Sequence, residues 1–334
     1  MQEALFYTSE DSGIIKCELC PHYCVLTEGN TGLCKVRTNI DGKLYSNNFE
    51  RLTAVNIDPV EKKPLYHFYP GKKILSIGSN GCNLKCQCCQ NWEIAHTSVK
   101  NYTNFKNIET DELLNIANDI NENIGIAYTY NEPVVWFEYM IEIAQKAKKT
   151  GLKNVLVSNG YINKKPFDLL NQYIDAYNID IKAFSEKAYM ELAHSHLEPV
   201  LETIKNIVKT GKHLELTNLI IPTINDNIDE FNKMTDWIAN ELGTETILHL
   251  SRYFPAYKMK IDATPPDTLL KLFEIAKSKL KYVYLGNINT PSGQDTYCSK
   301  CGNLVISRKG YYTEIVALDE WGRCKMCNYK IVEY

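Results

Sequence analysis

The chain has 334 residues, of which 44% are hydrophobic and 23% are charged, and its formal net charge is −3. These values are typical of an ordered globular protein with one large domain or two smaller ones, and they exclude a disordered or low-complexity chain. The small negative charge gives no general electrostatic reason to bind nucleic acid or an anionic membrane, so neither is expected as a partner.

Residues 1–16 lack the basic start and the apolar run of a secretory signal. No stretch of the sequence approaches the roughly 20 consecutive apolar residues that a membrane-spanning helix needs. We therefore expect a cytoplasmic protein. Because thiols stay reduced in that compartment, the twelve cysteines are interpreted as metal ligands or catalytic groups rather than as disulfides.

The first candidate metal site is a set of four cysteines near the start of the chain, Cys17, Cys20, Cys24 and Cys34. Two glycines between the third and the fourth allow the chain to turn back. The spacing does not distinguish zinc from an iron–sulfur cluster. A structural metal is favoured, and a second iron–sulfur cluster that relays electrons or binds substrate is the alternative. The set belongs to a cysteine-rich extension assigned to residues 1–70.

A second cysteine group follows directly after a predicted strand at residues 74–78. Its spacing, Cys82-x3-Cys86-x2-Cys89, places three thiols on one loop. Iron–sulfur clusters are usually held by four cysteines, so three ligands leave one iron open to bind a substrate or cofactor. A zinc knuckle or chance clustering is the alternative. We interpret Cys88 as a buried packing thiol rather than as the third ligand.

Residues 90–297 contain no cysteine and alternate β-rich runs with amphipathic helical segments. With the run before the cysteine loop included, the predicted strands are 74–78, 124–128, 154–157, 176–181, 213–221, 246–250 and 282–285. The predicted helices include 110–121, 134–149, 199–209, 229–241 and 266–279. This alternation predicts an α/β domain over residues 71–290 with a parallel sheet, as a complete barrel or a partial barrel of the (β/α)6 type. A doubly wound open sheet is the structural alternative.

Polar residues stand at the predicted carboxyl ends of these strands, where (β/α) barrels place their chemistry. The candidates that this position identifies are Asp180, Lys182, His249 and Arg252. Polar side chains that point into a barrel are unfavourable unless they pair or bind something. The alternatives are an internal ion pair of Asp180 with Lys182 and a purely structural role for His249.

The third cysteine group consists of two Cys-x2-Cys pairs, Cys298 with Cys301 and Cys324 with Cys327. Two such pairs at this separation predict a tetrahedral four-thiolate site in a zinc-ribbon-like module over residues 291–334. Residues 304–316 between the pairs suit a β-hairpin. Zinc is the first choice, rubredoxin-like iron is possible, and a structural role is favoured over recognition of a partner.

The loop motif after the first strand resembles the signature of the radical S-adenosylmethionine (SAM) superfamily. The resemblance implies that Cys82, Cys86 and Cys89 hold a [4Fe–4S] cluster whose open iron binds the amino and carboxylate groups of SAM. Reductive cleavage would then give a 5′-deoxyadenosyl radical that abstracts hydrogen from a substrate. The oxygen sensitivity of such chemistry implies an anaerobic setting and a reducing partner such as ferredoxin or flavodoxin.

Further turns resemble those of activating enzymes in that superfamily. Asn131-Glu132-Pro133 is similar to their Gly-Glu-Pro turn, which implies that Glu132 receives a hydrogen bond from the methionyl amino group. Asn159-Gly160 and Asp180-Ile181-Lys182 resemble their Thr-Asn-Gly and Asp-Leu-Lys turns. Arg252 is a candidate for binding a carboxylate of the cofactor or of a substrate.

Longer phrases, among them DPVEKKPLYHFYPG (58–71), GCNLKCQCCQNWEIA (81–95) and LHLSRYFPAYKM (248–259), resemble the radical SAM proteins of the AmmeMemoRadiSam system. These proteins are relatives of pyruvate formate-lyase activating enzymes. The resemblance implies an association with Memo-like and AMMECR-like proteins but no particular substrate. Lys62, Lys63 and His67 lie in one of the phrases and are candidates for lining the site.

Three functions remain open at this point. The first is hydrogen abstraction from an unidentified small molecule, and the second is activation of a glycyl radical enzyme through a backbone glycine. The third, of another class, is a non-catalytic scaffold that bears metals.

Overall fold

The structure, a computed structural model, describes residues 1–9, 13–290 and 292–334. Its strands are β1 (Gln2–Glu3), β2 (Tyr7–Ser9), β3 (Ile15–Cys17), β4 (Val25–Leu26), β5 (Arg37–Ile40), β6 (Lys43–Ser46), β7 (Arg51–Leu52), β8 (Ala54–Pro59), β9 (Lys73–Gly78), β10 (Lys106–Asn107), β11 (Asn123–Tyr128), β12 (Lys153–Ser158), β13 (Ala176–Asp180), β14 (His213–Ile220), β15 (Ile247–Arg252), β16 (Tyr282–Gly286), β17 (Thr296–Tyr297), β18 (Leu304–Lys309) and β19 (Tyr312–Ile315). The helices are α1 (Trp92–Ala95), α2 (Thr110–Asp119), α3 (Phe137–Lys149), α4 (Lys164–Asn171), α5 (Glu186–Ala193), α6 (Glu198–Lys209), α7 (Ile228–Trp237) and α8 (Pro266–Lys277).

The main sheet has eight strands in the order β16-β15-β14-β13-β12-β11-β9-β8. Strands β9 and β11–β16 run parallel, and β8 pairs antiparallel with β9 at one edge. Because the parallel strands follow one another in chain order without a reversal, the sheet has the winding of a barrel and not that of a doubly wound fold. It contains seven parallel strands, which correspond to the seven strands predicted from the sequence.

The two faces of the sheet bury different residues because side chains alternate along each strand. The outer face contributes Leu75, Ile126, Leu216 and Leu248 to a core shared with the helices. The inner face contributes a smaller cluster that includes Ile74, Ala127, Val155 and Ala176. Polar side chains also lie on the inner face. The side chains on this face leave room for a site.

The segment between β8 and β9 crosses the amino ends of the parallel strands. The backbone N–H groups of Tyr66 and His67 donate to the Glu215 carboxylate on β14, at 2.9 and 2.7 Å. The Tyr66 ring packs against Tyr284 on β16, with ring centroids 4.6 Å apart. This crossing segment therefore starts at one edge of the sheet and reaches the strand at the opposite edge. It fills the barrel interior at the amino ends of the strands.

The cysteine-rich N-terminal region consists of short antiparallel strands packed beside this sheet. Two small sheets, β1-β6-β5 and β2-β3-β4, make up most of it. Arg37 on β5 forms a bidentate ion pair with Glu138 on α3. Both N–O distances are 2.9 Å, and both side chains are buried. Planar guanidinium and carboxylate groups match in this geometry, so the pair fixes the N-terminal region against the barrel helix.

The C-terminal module lies at the amino ends of the parallel strands. Its last strand-like residues pair with the crossing segment, since Glu333 N donates to His67 O at 2.8 Å and Tyr69 N donates to Glu333 O at 2.8 Å. Arg308 on β18 donates to the carbonyl of Tyr66 at 2.7 Å, and its guanidinium lies 4.2 Å from the centre of the Tyr66 ring. The module therefore covers the end of the barrel opposite to the cysteine loop.

The predicted strands and helices of the barrel are confirmed, with ends that differ by at most four residues. Asn227 caps the start of α7, because its side chain accepts hydrogen bonds from the N–H groups of Asp229 and Glu230. The sequence analysis did not identify β8, α4 or α5. The division at residues 70 and 290 stays a prediction; β8 pairs across the first boundary, and Pro291 lies outside the described residues. Within the described part of the chain, no helix is long and apolar enough to cross a membrane.

Candidate active site at the carboxyl ends of the parallel strands

A cleft of about 440 Å³ opens at the carboxyl ends of the parallel strands. It is lined by the cysteine loop and by residues that end strands β11, β12, β13, β14 and β15. Cys82, Cys86 and Cys89 all line it. The volume lies within the range of about 300–1,000 Å³ that is usual for small-molecule sites.

The cysteine loop is held in place by the chain around it. Asn131 accepts a hydrogen bond from Ser79 N at 3.1 Å and donates to Gly81 O at 2.8 Å. Asn48 donates to the carbonyl of Asn80 at 2.9 Å. Gly81 adopts a φ of 91°, in the left-handed region, where a residue with a side chain would be strained. These contacts fix the loop before its first cysteine.

The three thiols suit a soft metal better than a free nucleophile. Burial raises the pKa of Cys82 and Cys89, and it raises the pKa of Cys86 to about 12. Thiols with such pKa values stay protonated at neutral pH unless a metal binds and displaces the proton. Three thiols on one loop beside an open cleft therefore fit an iron–sulfur cluster with one open coordination position.

Cys88 has a different environment from the other cysteines of the loop. It is buried in a small apolar cluster with Leu192, Ile221, Tyr253 and Met259, and it also borders the cleft. This placement agrees with the interpretation of Cys88 as a packing thiol.

Glu132 connects the ends of two neighbouring strands. Its carboxylate accepts hydrogen bonds from Val134 N at 3.1 Å, Ser158 Oγ at 2.8 Å and Asn159 N at 2.8 Å. Burial raises the pKa of the Glu132 carboxyl to about 7, although these hydrogen bonds act in the opposite direction. An ionised carboxylate offers about four acceptor positions, so about one remains for a ligand in the cleft.

Asn159 lies between the strand ends and the cysteine loop. Its side chain donates to Asn83 Oδ1 at 2.9 Å, and its Nδ2 lies 3.9 Å from Cys82 Sγ. An amide beside a cysteine sulfur is well placed to donate to a metal-bound thiolate, and such contacts tune the electronic properties of a cluster.

Asp180 and Lys182 form the predicted internal ion pair and line the cleft as well. Lys182 Nζ lies 2.7 Å from Asp180 Oδ2. Burial alone would lower the pKa of Lys182, but the neighbouring Asp180 carboxylate holds it above its usual value. The lysine therefore remains a cation beside the cysteine loop.

The floor of the cleft is made by the crossing segment. Lys62 and Lys63 both line the cleft, as predicted, and both donate to the carboxylate of Asp58, at 2.8 and 2.7 Å. Tyr130 donates to the same carboxylate at 2.8 Å. Burial opposes ionisation of Asp58, but the two lysines hold its pKa well below the usual value. Two cations share one anion, so the floor is locally positive.

Three predicted site residues lie outside the cleft. Arg252 donates to Thr264 O at 2.7 Å and stacks on Phe254, because alternation along β15 turns its side chain to the outer face. His249 bonds to Glu215 at 2.6 Å near the amino end of the barrel. His67 bonds to Ile331 O at 2.9 Å and to Tyr284 Oη at 2.6 Å, beneath the floor. The expectation that these side chains line the site is not supported by their positions.

The cleft residues that the sequence analysis did not name include Tyr130, Thr217, Ser251 and Asn287. Ser251 lies two residues after His249, so the alternation of side chains along a strand could have identified it. Thr217 lies two residues after Glu215 on β14, so alternation places it on the same face as that carboxylate. Asn287 carries no sequence signal beyond its place after β16.

The comparisons with known proteins match this geometry. The family model described as the radical SAM superfamily matches residues 76–238, which include the cysteine loop and the strand ends around the cleft. The uncharacterized protein MJ0808 of Methanocaldococcus jannaschii is 42% identical over 335 residues, and the match covers 99% of both chains. The chain belongs to the radical SAM superfamily.

More distant similarities agree with this family. The pyruvate formate-lyase-activating enzyme of Clostridium pasteurianum is 20% identical over 172 residues, covering 50% of this chain and 70% of that protein. The crystal structure of a radical SAM methyltransferase from Sphaerobacter thermophilus has a TM-score of 0.52 and 12% identity, with 71% of each chain covered. At that identity the structural match shows the fold alone. The resemblance to the AmmeMemoRadiSam proteins stays a prediction.

The C-terminal cysteines of this radical SAM protein form a compact four-sulfur group. The Sγ atoms of Cys298 and Cys327 are 3.5 Å apart, and those of Cys301 and Cys324 are 3.7 Å apart. Tetrahedral zinc with Zn–S bonds of about 2.3 Å separates its sulfurs by roughly 3.8 Å. A four-cysteine metal-binding group is therefore present, with the geometry of a mononuclear site.

The N-terminal cysteines of the radical SAM protein surround a second cavity. Cys17, Cys20, Cys24 and Cys34 line it together with apolar residues and with Arg37 and Asn83. The four cysteines, spread over eighteen positions of sequence from Cys17 to Cys34, are thus brought to one place.

Proposed function

We propose that Cys82, Cys86 and Cys89 hold the [4Fe–4S] cluster of this radical SAM enzyme and that SAM binds in the adjoining cleft. The observation that carries the proposal is the convergence of three thiols from one loop with the polar ends of β11, β12 and β13 around a single cleft. When bound, the cluster supplies one electron that cleaves SAM to methionine and a 5′-deoxyadenosyl radical, which abstracts hydrogen from the substrate.

The residues around the cleft have separable roles in this proposal. Asn131 holds the cysteine loop, and Glu132 holds the ends of β11 and β12 while keeping an acceptor position for the amino group of SAM. Asn159 donates toward the sulfur of Cys82. Asp180 and Lys182 provide one charge of each sign for polar groups of the cofactor. Arg252 is no longer proposed as a cofactor ligand because its guanidinium is engaged outside the cleft.

The substrate that suits the cleft best is a small molecule. The crossing segment closes the cleft from below with Lys62 and Lys63, so any substrate enters from the side of the cysteine loop. Because Lys62 is the more exposed of the two lysines, with 45% of its side chain accessible, its ammonium is available to an anionic group. An anionic small molecule therefore complements the floor.

Activation of a glycyl radical enzyme is the second candidate function. It is favoured by the similarity to relatives named as activating enzymes, among them that of Clostridium pasteurianum. It requires a partner protein whose glycine loop enters the cleft. Incubation with candidate partners would then give a glycyl doublet in the EPR spectrum, and the small-molecule reaction would not.

The proposal extends to partners and further metals. We propose that the C-terminal four-cysteine group holds Zn²⁺ in a structural role. The electron would come from a reducing partner such as ferredoxin or flavodoxin, in an anaerobic setting. An association with Memo-like and AMMECR-like proteins follows from the sequence resemblance alone and is tested by co-purification.

The decisive experiment is SAM cleavage by anaerobically purified and reconstituted protein. Reduction by dithionite in the presence of SAM should give 5′-deoxyadenosine, which is quantified by chromatography. The control changes Cys82, Cys86 and Cys89 together to Ala and should give none. If the wild type holds a full cluster and still forms no product, with or without the candidate partner proteins, the metal-bearing scaffold becomes the better description.

A further inference from the structure

We propose that Cys17, Cys20, Cys24 and Cys34 hold a second iron–sulfur cluster, of the [4Fe–4S] type, which passes electrons to the cluster on the Cys82 loop. The sequence favours a structural metal at these four cysteines. The arrangement of their side chains reverses that preference. The assignment of the cluster stands by itself, whereas its role as a relay rests on the proposed function.

The spread of the sulfurs separates the two flanking cysteine sites. Among the residues that the structure describes, the C-terminal cysteines are the only group of three or more His, Cys, Asp or Glu residues whose ligand atoms all lie within 4.8 Å of one another. The N-terminal four line one cavity but do not meet this condition. A single zinc ion draws its four sulfurs to about 3.8 Å, whereas each ligand of a cubane cluster binds a different iron and lies further from the others.

The Cys82 loop provides an internal comparison. Cys82, Cys86 and Cys89 carry the motif of an iron–sulfur cluster and line one cleft, and their sulfurs are also not grouped within 4.8 Å. The N-terminal set thus resembles the cluster loop and differs from the zinc-like set in the same chain.

The cavity between the four cysteines has the lining of a cluster site. Leu19, Leu26 and Val135 are buried apolar residues that border it. Arg37 borders it too, with 1% of its surface exposed, and its Nε has no hydrogen-bond partner among the described residues. A buried donor without a partner is costly, and a cluster with four thiolates is an anion that a guanidinium would stabilise.

The two sites are in direct contact through the backbone. Asn83, which follows Cys82, borders the N-terminal cavity, and His22 in that cavity bonds to Asn83 O at 2.7 Å. A Cβ atom placed on Gly81 would lie 2.6 Å from the carbonyl oxygen of Cys34. Cys34 of the N-terminal set therefore lies against Gly81, the residue that precedes Cys82.

The number of ligands assigns a role to the second cluster. Four thiolates saturate a [4Fe–4S] cluster, so it has no open iron for a substrate and is suited to electron transfer. A one-electron protein donor, such as reduced ferredoxin or flavodoxin, would give one electron to the N-terminal cluster, and that cluster would pass it to the cluster on the Cys82 loop. The donor is oxidised by one electron, and the second cluster returns to its resting state. No bond forms or breaks in this step.

The N-terminal site is also close to the surface where a donor would dock. Tyr23 and Val25, on either side of Cys24, are 45% and 63% exposed, and Leu33, before Cys34, is 52% exposed. An electron that enters here would reach the catalytic loop through the contacts of Gly81 and Asn83.

The assignment of the cluster is tested in the variant C82A/C86A/C89A, which leaves the N-terminal set intact. After anaerobic reconstitution we expect about four irons and about four sulfides per chain, and a reduced [4Fe–4S] signal in the EPR spectrum. Adding C20S/C24S should remove the iron and the signal, while zinc at the C-terminal site, measured in the same sample, reports that the protein is folded. Zinc without iron or sulfide in C82A/C86A/C89A would overturn the proposal.

The relay is tested in C20S/C24S with the Cys82 loop intact. This variant should keep the iron of the catalytic loop and cleave SAM with dithionite at nearly the wild-type rate. With reduced ferredoxin or flavodoxin we expect a rate lower by about tenfold or more. Equal losses with both kinds of reductant would show that the N-terminal site is structural. Failure of the wild type to cleave SAM with dithionite would contradict the proposed function and leave the metal analysis unaffected.

Discussion

The carboxylate of Glu132, at the end of β11, accepts a hydrogen bond of 2.8 Å from the backbone N–H of Asn159, at the end of β12. This bond holds together the two strand ends that lie beside the cysteine loop. It is buried, since Glu132 is only 2% exposed, and it therefore operates away from competing water. The geometry of the cleft depends on this carboxylate even before a cofactor binds.

We expect Glu132→Ala to lower both SAM affinity and the rate of 5′-deoxyadenosine formation. The change leaves the buried donors of Ser158 and Asn159 without a partner, which costs about 1–3 kcal/mol for each such group. Isothermal titration with SAM and the cleavage assay measure the two effects. The control is Glu142→Gln, an exposed carboxylate on α3, which should leave both values unchanged. Wild-type affinity in Glu132→Ala would contradict a role for this residue.

We expect Gly81→Ala to prevent correct assembly of the cysteine loop. The new methyl group would meet the Cys34 carbonyl at 2.6 Å, and the backbone at Gly81 has a φ of 91°. Strain and overlap together should cost a few kcal/mol, on the order of 2–4. Iron bound by the Cys82 loop and the rate of SAM cleavage should both fall sharply.

The matched control for that variant is Gly151→Ala. Gly151 has a similar φ of 84°, but nothing lies within 4 Å of a Cβ placed there. It should therefore show the backbone strain alone, as a stability loss of about 1 kcal/mol with normal iron content. Equal iron loss in both variants would show that the contact with Cys34 is unimportant.

We expect Cys324→Ser to abolish metal binding at the C-terminal group while the cysteine loop keeps its iron. Cys324 is 1% exposed within a small core shared with Val305, Ile306 and Val332, and structural zinc contributes about 10–16 kcal/mol to the folding of small modules. The melting temperature should fall, and zinc content by mass spectrometry should drop by about one ion per chain. Met326→Ala, at an exposed position, is the control that should retain zinc.

We expect His67 to make stability rise with pH between pH 4 and 6. Burial lowers the pKa of His67 in the folded protein to about 3, whereas the pKa of an unfolded histidine is about 6.5. Between these values the unfolded chain binds more protons, so the free energy of unfolding increases with pH, by up to about 1.4 kcal/mol per unit.

The test compares urea unfolding of the wild type with that of His67→Gln from pH 4 to 6. The free energy of unfolding of the wild type minus that of His67→Gln should rise with pH. The slope of this difference is the contribution of His67. His194→Asn, which removes an exposed histidine, is the comparison variant. Parallel curves for wild type and His67→Gln would show that this histidine is charged in the folded protein.

Much of the fold could be predicted from the sequence because it depends on local patterns. The β-rich runs that predict strands at residues 124–128 and 154–157 correspond to β11 and β12, because residues of this kind pack well on the surface of a pleated sheet. The spacing of Cys82, Cys86 and Cys89 identified the chemistry because three thiols on a short loop are close together in any fold. Asp180 and Lys182 could be named from their position at a strand end, and Glu132 and Asn159 from the resemblance of their turns to those of activating enzymes.

Other features depended on contacts between distant residues. Strand β8 has no strong sequence signal and is fixed by pairing with β9. Strand β15 contains His249, Ser251 and Arg252, but the sequence alone does not show which of these side chains faces the cleft. That depends on how β15 is oriented within the sheet. The position of the His67 side chain depends on the C-terminal tail. The tail lies more than 260 positions further along the chain, and its Ile331 carbonyl bonds to the His67 ring.

The amino-acid sequence by itself thus determined the superfamily, the barrel strands and the three groups of cysteines, because these reside in short motifs and in local periodicity. The tertiary structure decided how the sites relate to one another. It placed the C-terminal group at the amino ends of the strands, and it brought the N-terminal cysteines against Gly81 and Asn83. Those relations arise from packing between segments far apart in the chain, and no local pattern encodes the distance between them.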